Sequence, residues 1–459
     1  MKLHLRAILI VALASHLQAQ LPPATAAKID AVAAQVLADT GAPSASVAVV
    51  KDAKIAYVKA YGNARLEPTN PASPEMRYSI GSVSKQFMAG AILLLVEDGK
   101  LSPDDPVARF LPDLTRAKEI TIRELLTHTS GYQDYYPLDY VAPFMQKPVT
   151  AREILDKWAK KPLDFDPGTR WQYSNTNFVA AGLILEKVTG MPLMSFLEAR
   201  IFRPLGMTSV IDLAEKSLSA SDAAGYTRFA LGPLRPAPPE GRGWLFAAGE
   251  LAMTAHDLAL WDISLIQHKV LKPALLDTLM TPARLKNGAP TGYGLGVGIR
   301  DAGNHPKLSH GGAVSGFVSL NTVWPDEGAA VVVLTNVDGS SAPDRMTAEI
   351  APLLLAEVED PHAAQALEQA RRIFSDLQQG GIDRSLLTSD ADAFFTPQVL
   401  ADAAASLKPL GDPESFRQMS VELRGGMTYR HFNIQCKGKA LHLSTFTTPD
   451  GKLAQYLIQ

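Results

Sequence analysis

The chain has 459 residues, with 44 Lys and Arg against 47 Asp and Glu, and 46% of its residues are hydrophobic. That apolar fraction is ample for a large core and excludes a disordered chain, while the balanced charge lacks the basic footprint that nucleic acid requires. The single cysteine, Cys436, excludes an internal disulfide and a cysteine-ligated metal cluster. We therefore expect a small-molecule partner, no nucleic acid and no cofactor.

The first twenty residues have the pattern of a secretory signal peptide. Lys2 and Arg6 precede an apolar run over residues 7–14, and the small residue Ala19 follows. The run is too short to span a bilayer, which takes about twenty residues, and no other apolar run approaches that length. We predict a signal peptide over residues 1–19, cleavage before Gln20 and a periplasmic or secreted protein without a stable membrane span. A retained amphipathic N-terminal helix is the alternative.

The next part of the chain, residues 20–361, is predicted to form one α/β domain. Strand patterns occur near both of its ends, and a mainly helical subdomain at about 102–240 lies between them. This arrangement predicts a sheet built from both ends of the domain. The predicted helices lie at 24–40, 85–97, 121–126, 150–160, 177–189, 254–268, 273–280 and 342–357, and the predicted strands at 45–51, 55–61, 292–300, 308–309, 316–324 and 329–336.

Residues 362–459 are predicted to form a separate small α+β domain. Helical patterns at 363–379 and 391–407 precede β-rich runs at 416–424, 427–436, 440–447 and 452–458. The dipeptide Asp450-Gly451 between the last two runs is a strong hairpin signal. Helices followed by a strand meander indicate a layer of helices on an antiparallel sheet.

The first chemical motif is Ser82-Val83-Ser84-Lys85, where a loop enters the helix predicted at 85–97. Residues three apart on a helix share a face, so the Lys85 ammonium can reach the Ser82 hydroxyl. A serine needs a neighbour that takes its proton before it is a good nucleophile, and a helix N-terminus offers N–H groups to an oxyanion. Alone the motif is weak, because an N-capping serine with a solvated lysine has the same pattern.

Two further motifs supply partners for such a nucleophile. Tyr173 and Asn175 follow a turn in the helical subdomain; a phenol near cations can ionise below its usual pKa of about 10, and an amide offers both a donor and an acceptor. His310-Gly311-Gly312 ends a predicted strand, where glycine permits close approach and the imidazole can donate a hydrogen bond into a cleft. A buried structural tyrosine and a turn-forming asparagine are the alternatives.

Aromatic residues and one further histidine accompany these motifs. Trp244 and Phe246, and the three tyrosines at 132, 135 and 136, are candidates to line a cleft for an apolar part of the substrate, with ordinary burial as the alternative. His128 lies in a Thr-His-Thr-Ser-Gly turn, and we expect it to satisfy buried backbone groups rather than to take part in chemistry.

Taken together, the motifs resemble those of the serine hydrolases of the penicillin-recognising superfamily. The resemblance covers about residues 25–358 and points to the group of class C β-lactamases, D-alanyl-D-alanine carboxypeptidases, D-aminopeptidases and related esterases. It rests on Tyr-Ser-Ile-Gly-Ser-Val-Ser-Lys-Gln-Phe at 78–87, Leu-Leu-Thr-His-Thr-Ser-Gly at 125–131, Pro-Gly-Thr at 167–169, and His-Gly-Gly at 310–312 with Gly316-Phe317.

The resemblance implies a β-lactamase/transpeptidase-like fold, with an antiparallel sheet flanked by helices, and it implies roles for the matched residues. Ser82 would be the acylated nucleophile, Lys85 its activating partner, and Tyr173 the base that also protonates the leaving group. Asn175 would contact the substrate amide and the lysine. The backbone N–H groups of Ser82 and of Ala313, just after Gly312, would form the oxyanion hole.

One departure from the family pattern bears on the substrate. Many members have Lys-Thr-Gly where this chain has His310-Gly311-Gly312, a form similar to that of D-aminopeptidases and some esterases. A lysine is a permanent cation at pH 7, whereas a histidine is mostly neutral there, which disfavours substrates that bear a carboxylate. We therefore expect a serine hydrolase for an ester or amide. A D-stereospecific peptidase or β-lactamase, and a slowly deacylating penicillin-binding sensor, are the alternatives.

Overall fold

The computed structural model describes residues 20–302, 305–355 and 360–458, so the predicted signal peptide lies outside the described residues. The chain divides into two compact units. Of the described residues, the first unit comprises 20–300 and 306–355, and the second comprises 301, 302, 305 and 360–458. Among the described residues no single helix has the length and apolar composition to cross a membrane. The two consecutive helical segments Asn175–Thr189 and Leu193–Leu205 have that length and composition only when they are taken together, and they are bent by 72° relative to each other.

The first unit is a mixed α/β structure. Its helices are α1 (Pro23–Thr40), α2 (Ser84–Glu97), α3 (Ile122–Leu126), α4 (Ala151–Ile154), α5 (Asn175–Thr189), α6 (Leu193–Leu197), α7 (Arg203–Leu205), α8 (Phe246–Gly249), α9 (Ala255–Ile266), α10 (Pro273–Met280) and α11 (Ala342–Ile350). Its strands are β1 (Ser44–Lys51), β2 (Lys54–Leu66), β3 (Thr69–Pro71), β4 (Tyr78–Ser79), β5 (Ile211–Asp212), β6 (Tyr226–Arg228), β7 (Leu234–Pro236), β8 (Leu251–Met253), β9 (Gly298–Ala302), β10 (His305–Val314), β11 (Phe317–Trp324) and β12 (Ala329–Thr335).

The main sheet of this unit has the strand order β3-β2-β1-β12-β11-β10-β9. The first and last strands of this unit are neighbours in the middle of the sheet: β1 pairs antiparallel with β12 through partners such as Val47 and Val333. Both strands are buried along almost their whole length, because both faces of the sheet are covered. Val47 and Val333 face the core under α1 and α11, whereas Val50 and Val332 face the core that contains α2 and α9. The antiparallel sheet flanked by helices confirms the predicted fold class.

Helix α2 is the element that carries the catalytic motif into the core. Its residues from Ser84 to Leu95 are buried on every side, which is typical of a central helix rather than an amphipathic surface helix. A single 3₁₀ turn, Gly81–Val83, joins it to β4 and contains Ser82. The burial of α2 therefore fixes Ser82 at the edge of a rigid core element.

The second unit packs helices α12 (Ala363–Gln378), α13 (Ser389–Phe394) and α14 (Pro397–Leu407) with an antiparallel meander of β13 (Ser415–Arg424), β14 (Met427–Cys436), β15 (Lys439–Thr447) and β16 (Leu453–Ile458). Its own core includes Phe374, Phe416 and Phe432. Asp360 accepts two hydrogen bonds from the Arg430 guanidinium, at 2.7 Å from Nε and 3.0 Å from Nη2. This buried ion pair ties the start of the unit to β14.

Two predicted elements were wrong, and the cause is local in each case. The predicted strand at 292–300 begins only at Gly298, because Gly292 and Gly296 have φ values of 69° and 68° and turn the chain in the left-handed region. The predicted helix at 391–407 is broken into α13 and α14. Pro397 opens α14, where the missing N–H does no harm, and the Thr396 side chain caps the new start by accepting from the Val399 N–H.

Candidate active site

Ser82 lies in a tight turn that packs against strand β10. Gly81 has a φ of 50°, and a Cβ placed on it would lie 3.0 Å from the Ala313 N and 3.3 Å from Val314 Cγ1. Glycine is thus required both by the backbone conformation and by the close approach of β10. Ser82 is partly exposed, whereas Gly81 and Val83 on either side of it are buried. The turn therefore presents one hydroxyl to the outside of a packed segment.

Lys85 is fully buried one turn after Ser82, and its three hydrogen-bond partners are all neutral. Its Nζ lies 3.0 Å from Ser82 Oγ, 2.8 Å from Asn175 Oδ1 and 2.6 Å from the Ala248 carbonyl oxygen. Burial lowers the pKa of Lys85 from 10.5 to about 7, and the negative charge of Asp134 opposes this only in part. A neutral amine here donates to Asn175 and Ala248 and keeps its lone pair for the Ser82 hydroxyl.

Tyr173 completes the group around the serine hydroxyl. Its phenol shares a hydrogen bond with Ser82, and Lys85 Nζ lies 5.0 Å from the centre of its ring. The expectation that nearby cations lower the pKa of Tyr173 is wrong. Burial raises it above 10, an effect that the hydrogen bond to Ser82 only reduces. Tyr173 is therefore a neutral phenol at pH 7, which can donate a proton, while Lys85 is the group that can accept one.

Asn175 begins helix α5 and is held by Asp134, a residue that the sequence analysis missed. The Asn175 backbone N–H donates to Asp134 Oδ1 at 2.9 Å, and its side-chain Nδ2 donates to the same oxygen at 3.2 Å. Because the carboxylate accepts from the amide nitrogen, the amide oxygen must face Lys85. Asp134 thus orients Asn175 for its contact with the lysine, and only its place three residues after the end of the Thr-Ser-Gly turn could have drawn attention to it.

His310 lies on β10 with both ring nitrogens bound by the protein. Tyr293, also missed by the sequence analysis, has its hydroxyl 2.7 Å from His310 Nε2, and His310 Nδ1 lies 2.6 Å from the Gly311 carbonyl oxygen. The carbonyl can only accept, so Nδ1 carries the proton and Nε2 accepts from Tyr293. Burial, followed by the charge of Lys85, lowers the pKa of His310 to about 3. The predicted hydrogen bond from this imidazole into the cleft is therefore replaced by contacts within the protein.

Gly312 brings β10 against the Ser82 turn. A Cβ on Gly312 would lie 2.0 Å from the Ile80 carbonyl oxygen and 2.5 Å from Ser319 Oγ, so no other residue fits. The following residue, Ala313, has its backbone N close to Gly81. This arrangement brings the amides of Ser82 and Ala313 to neighbouring positions, as an oxyanion hole requires, and their role stays a prediction.

His128 is buried beneath this group. Its Nδ1 accepts from the Ser174 N–H at 3.2 Å, which is the backbone contact expected for it, and its ring lies 4.3 Å from the Tyr173 ring. It therefore supports the segment that carries Tyr173 and Asn175. Among the described residues there is no group of three or more His, Cys, Asp and Glu side chains placed to hold a metal ion.

Comparison with known proteins shows what the first unit is similar to. The Beta-lactamase family profile matches residues 29–355. A D-aminopeptidase from Brucella anthropi is 28% identical over 304 residues, which make up 65% of this chain and 57% of that protein, so the chain spans less than two thirds of that relative's length.

Solved structures of related proteins are also similar to this chain. A D-stereospecific amidohydrolase from Streptomyces sp. aligns with a TM-score of 0.62 and 27% identity, over 71% of this chain and 98% of its own. The octameric penicillin-binding protein homologue from Pyrococcus abyssi aligns over 95% of this chain and all of its own, with a TM-score of 0.63 and 22% identity. At that identity the second likeness concerns the fold alone, and it extends the common fold over nearly the whole chain.

Proposed function

The chain belongs to the Beta-lactamase family and is a serine hydrolase, and from this premise we propose that Ser82 forms an acyl-enzyme with an ester or amide substrate. The observation that carries the proposal is the environment of Lys85. Its Nζ touches three neutral acceptors within 3.0 Å, and its pKa of about 7 leaves a large fraction of the amine neutral at physiological pH. Lys85 can therefore take the Ser82 proton at the moment that Oγ attacks the substrate carbonyl.

The remaining groups have complementary tasks in the proposed mechanism. The N–H groups of Ser82 and Ala313 stabilise the oxyanion of the tetrahedral intermediate. Tyr173, protonated because its pKa is raised, gives its proton to the leaving oxygen or nitrogen and recovers one from the Lys85 ammonium. Water then attacks the acyl-enzyme while neutral Lys85 takes its proton. As the tetrahedral intermediate collapses, the Lys85 ammonium returns this proton to Ser82 Oγ, which releases the acid and the free serine.

We propose neutral esters and D-amino-acid amides or peptides as the substrates. The support is the neutral His310, which offers no fixed charge to a substrate carboxylate, together with the likeness to a D-aminopeptidase and a D-stereospecific amidohydrolase. Penicillin hydrolysis, and slow deacylation in a penicillin-binding sensor, are the competing functions. The N-terminal sequence supports export to the periplasm or the medium, which sequencing of the mature N-terminus would test.

A side-by-side assay tests the reaction and separates these functions. The full chain is incubated with a p-nitrophenyl ester, a D-alanyl amide and nitrocefin, with Ser82→Ala as the control. We expect steady turnover of the ester or the amide in the wild type, and no turnover and no fluorophosphonate labelling in the variant. One stoichiometric burst followed by silence would support the sensor instead. Labelling of another serine in Ser82→Ala would contradict the mechanism.

A further inference from the structure

A cavity of about 310 Å³ adjoins the Ser82 turn. Most of its wall comes from parts of the segments 213–218 and 237–246, and the rest comes from Ser79, Gly225, Glu250, Val314, Ser315 and Phe317. Ser79 lies three residues before Ser82, and Val314 follows Ala313. A Cβ on Gly249 would lie 3.5 Å from the Gly81 carbonyl carbon, so the residue just before Glu250 packs directly on the turn.

The position of the cavity indicates which part of a substrate it receives. Of the described residues that line it, none is Tyr173, Asn175 or His310, and none is Ser82 itself, so the cavity can hold only a part of the substrate that extends away from the reacting bond. If Tyr173 protonates the leaving group, that group lies beside Tyr173 and not in this cavity. The part of the substrate that stays on Ser82 as the acyl group is then the part that the cavity can hold.

Glu250 supplies an unsatisfied carboxyl to this cavity. The residue is 4% exposed, lines the cavity, and its Oε2 has no hydrogen-bond partner among the described residues. Burial is the main cause that raises the pKa of Glu250 well above its usual range, and the charges of Asp212, Glu186 and Glu215 add to it. A buried acceptor without a partner is destabilising unless a ligand meets it.

The other groups around the cavity restrict what that ligand can be. Glu240 is engaged at one of its two carboxyl oxygens, since its Oε1 accepts from the Tyr136 hydroxyl at 3.0 Å and from the Ser315 N–H at 2.9 Å. Arg242 lines the cavity but is exposed, and its charge acts on Asp212 rather than on Glu250. Much of the wall is apolar and includes Leu213, Leu245, Phe246 and Phe317. An apolar chain with a hydrogen-bond donor at its end fits these walls, and the acidic surroundings of Glu250 favour a cationic donor.

We propose that the cavity is an acyl-group subsite for substrates whose acyl chain ends in a primary ammonium, which Glu250 binds through its carboxylate. The inference rests on the proposed function, because it needs Ser82 to be acylated. When the ammonium enters, the Glu250 carboxyl releases its proton to solvent and accepts a charge-assisted hydrogen bond from the amine. The substrate class is thereby narrowed to esters and amides of acids with an amine beyond an apolar segment.

Two substrates matched in length test the proposal. p-Nitrophenyl 6-aminohexanoate and p-nitrophenyl heptanoate differ in a terminal ammonium against a methyl group. We expect wild-type kcat/KM to favour the amine by about tenfold or more, the scale of a charge-assisted hydrogen bond. Glu250→Gln keeps the shape but cannot become charged, and we expect the preference to disappear. Glu215→Gln is the control, because it removes an exposed charge near Glu250. Its ratio of kcat/KM for the aminohexanoate to that for the heptanoate should stay within about twofold of the wild-type ratio.

The outcomes separate the subsite from the reaction. A wild-type preference for the heptanoate, or a preference for the amine that persists in Glu250→Gln, would overturn the subsite while Ser82-dependent hydrolysis still stood. Hydrolysis of both esters by Ser82→Ala would overturn the proposed function itself. If Glu250→Gln does not fold, inhibition of the wild type decides the question. Hexylammonium should inhibit heptanoate hydrolysis at about a tenfold lower concentration than 1-hexanol, and equal inhibition would overturn the subsite.

Discussion

Two buried cations, one in each compact unit, have opposite surroundings. In the first unit Lys85 touches the neutral oxygens of Ser82, Asn175 and Ala248. In the second unit Arg430 forms a two-pronged pair with Asp360, and both side chains are 4% exposed. Burial without a contacting counter-charge weakens the hold of Lys85 on its proton, whereas the guanidinium of Arg430 stays charged and paired. The first arrangement creates a base, and the second creates a structural tie.

The size of the effect at Lys85 shows why a buried lysine suits catalysis. A fall in the pKa from 10.5 to about 7 corresponds to about 5 kcal/mol against the charged form. The fold must supply this free energy from packing elsewhere, and the fully buried helix α2 is where that packing lies. Replacing each cation by methionine, which has a similar length and no charge, therefore tests the comparison directly.

The largest effect is expected for Lys85→Met. Removal of the proposed proton acceptor should lower kcat/KM for a p-nitrophenyl ester by about 10³-fold, within the range of general-base catalysis. Stopped-flow measurement of acylation checks this, and the circular dichroism spectrum shows whether the variant folds. Lys85→Arg retains a cation but cannot be a base at pH 7, so it should be equally impaired. Activity in Lys85→Arg near the wild-type level would mean that the charge, and not the lone pair, is what Ser82 needs.

Arg430→Met should change stability and leave the chemistry of Ser82 intact. The substitution leaves the buried Asp360 carboxylate without its partner, and removal of one partner of a buried ion pair lowers the stability of the folded state by about 3 kcal/mol. Urea unfolding measures the loss in the free energy of unfolding, and a separate hydrogen-exchange experiment shows whether residues 427–436 lose protection. The pair also predicts acid sensitivity. The folded pKa of Asp360 is lowered to about 2, so its stabilising contribution is present above the unfolded value near 4 and is lost as the pH falls towards 2. Unchanged exchange in Arg430→Met would show that the pair contributes nothing to the unit.

Sequence spacing predicted some contacts of the site, such as that of Lys85, but not those that depend on tertiary packing. The spacing of Ser82 and Lys85 predicted their contact, which the structure has at 3.0 Å, because residues three apart on a helix are neighbours. The short β-branched and apolar runs predicted strands at 45–51 and 329–336, which the structure has as β1 and β12. Asp134, Tyr293 and Glu250 were not predicted, since each acts through contacts that depend on tertiary packing and have no periodic signal. The expected donor role of His310 failed because its N–H, on Nδ1, donates to the Gly311 carbonyl, while Tyr293, seventeen residues away, donates to Nε2.

A smaller and graded effect is expected for the pH dependence of the wild type. If neutral Lys85 is the base, kcat/KM for a neutral ester should rise about tenfold per pH unit below 7 and level off above it, since the base loses its proton as the pH passes its pKa of about 7. Initial rates between pH 5 and 9 check this. A rate that keeps rising towards pH 10 would mean that the buried amine retains the ordinary pKa of lysine, and that Lys85 does not differ from a solvated cation.

The smallest pH effect is expected from His310, a second buried base that has no counter-charge in contact with it. Its pKa of about 3 keeps the imidazole neutral at pH 5 to 8, and the charge that Lys85 acquires below pH 7 opposes protonation further. The ratio of penicillin to ester reactivity should therefore stay constant within about twofold over this range, because His310 acquires no charge and the protonation of Lys85 removes the same base from both reactions. Parallel rates with benzylpenicillin and a p-nitrophenyl ester measure the ratio. A ratio that rises about tenfold as the pH falls through 6.5 would indicate a solvated histidine that titrates at its ordinary value. In that case the two buried bases would not share one environment, and the low pKa of Lys85 would need a cause more local than burial, with the Asn175 side chain as the group to replace next.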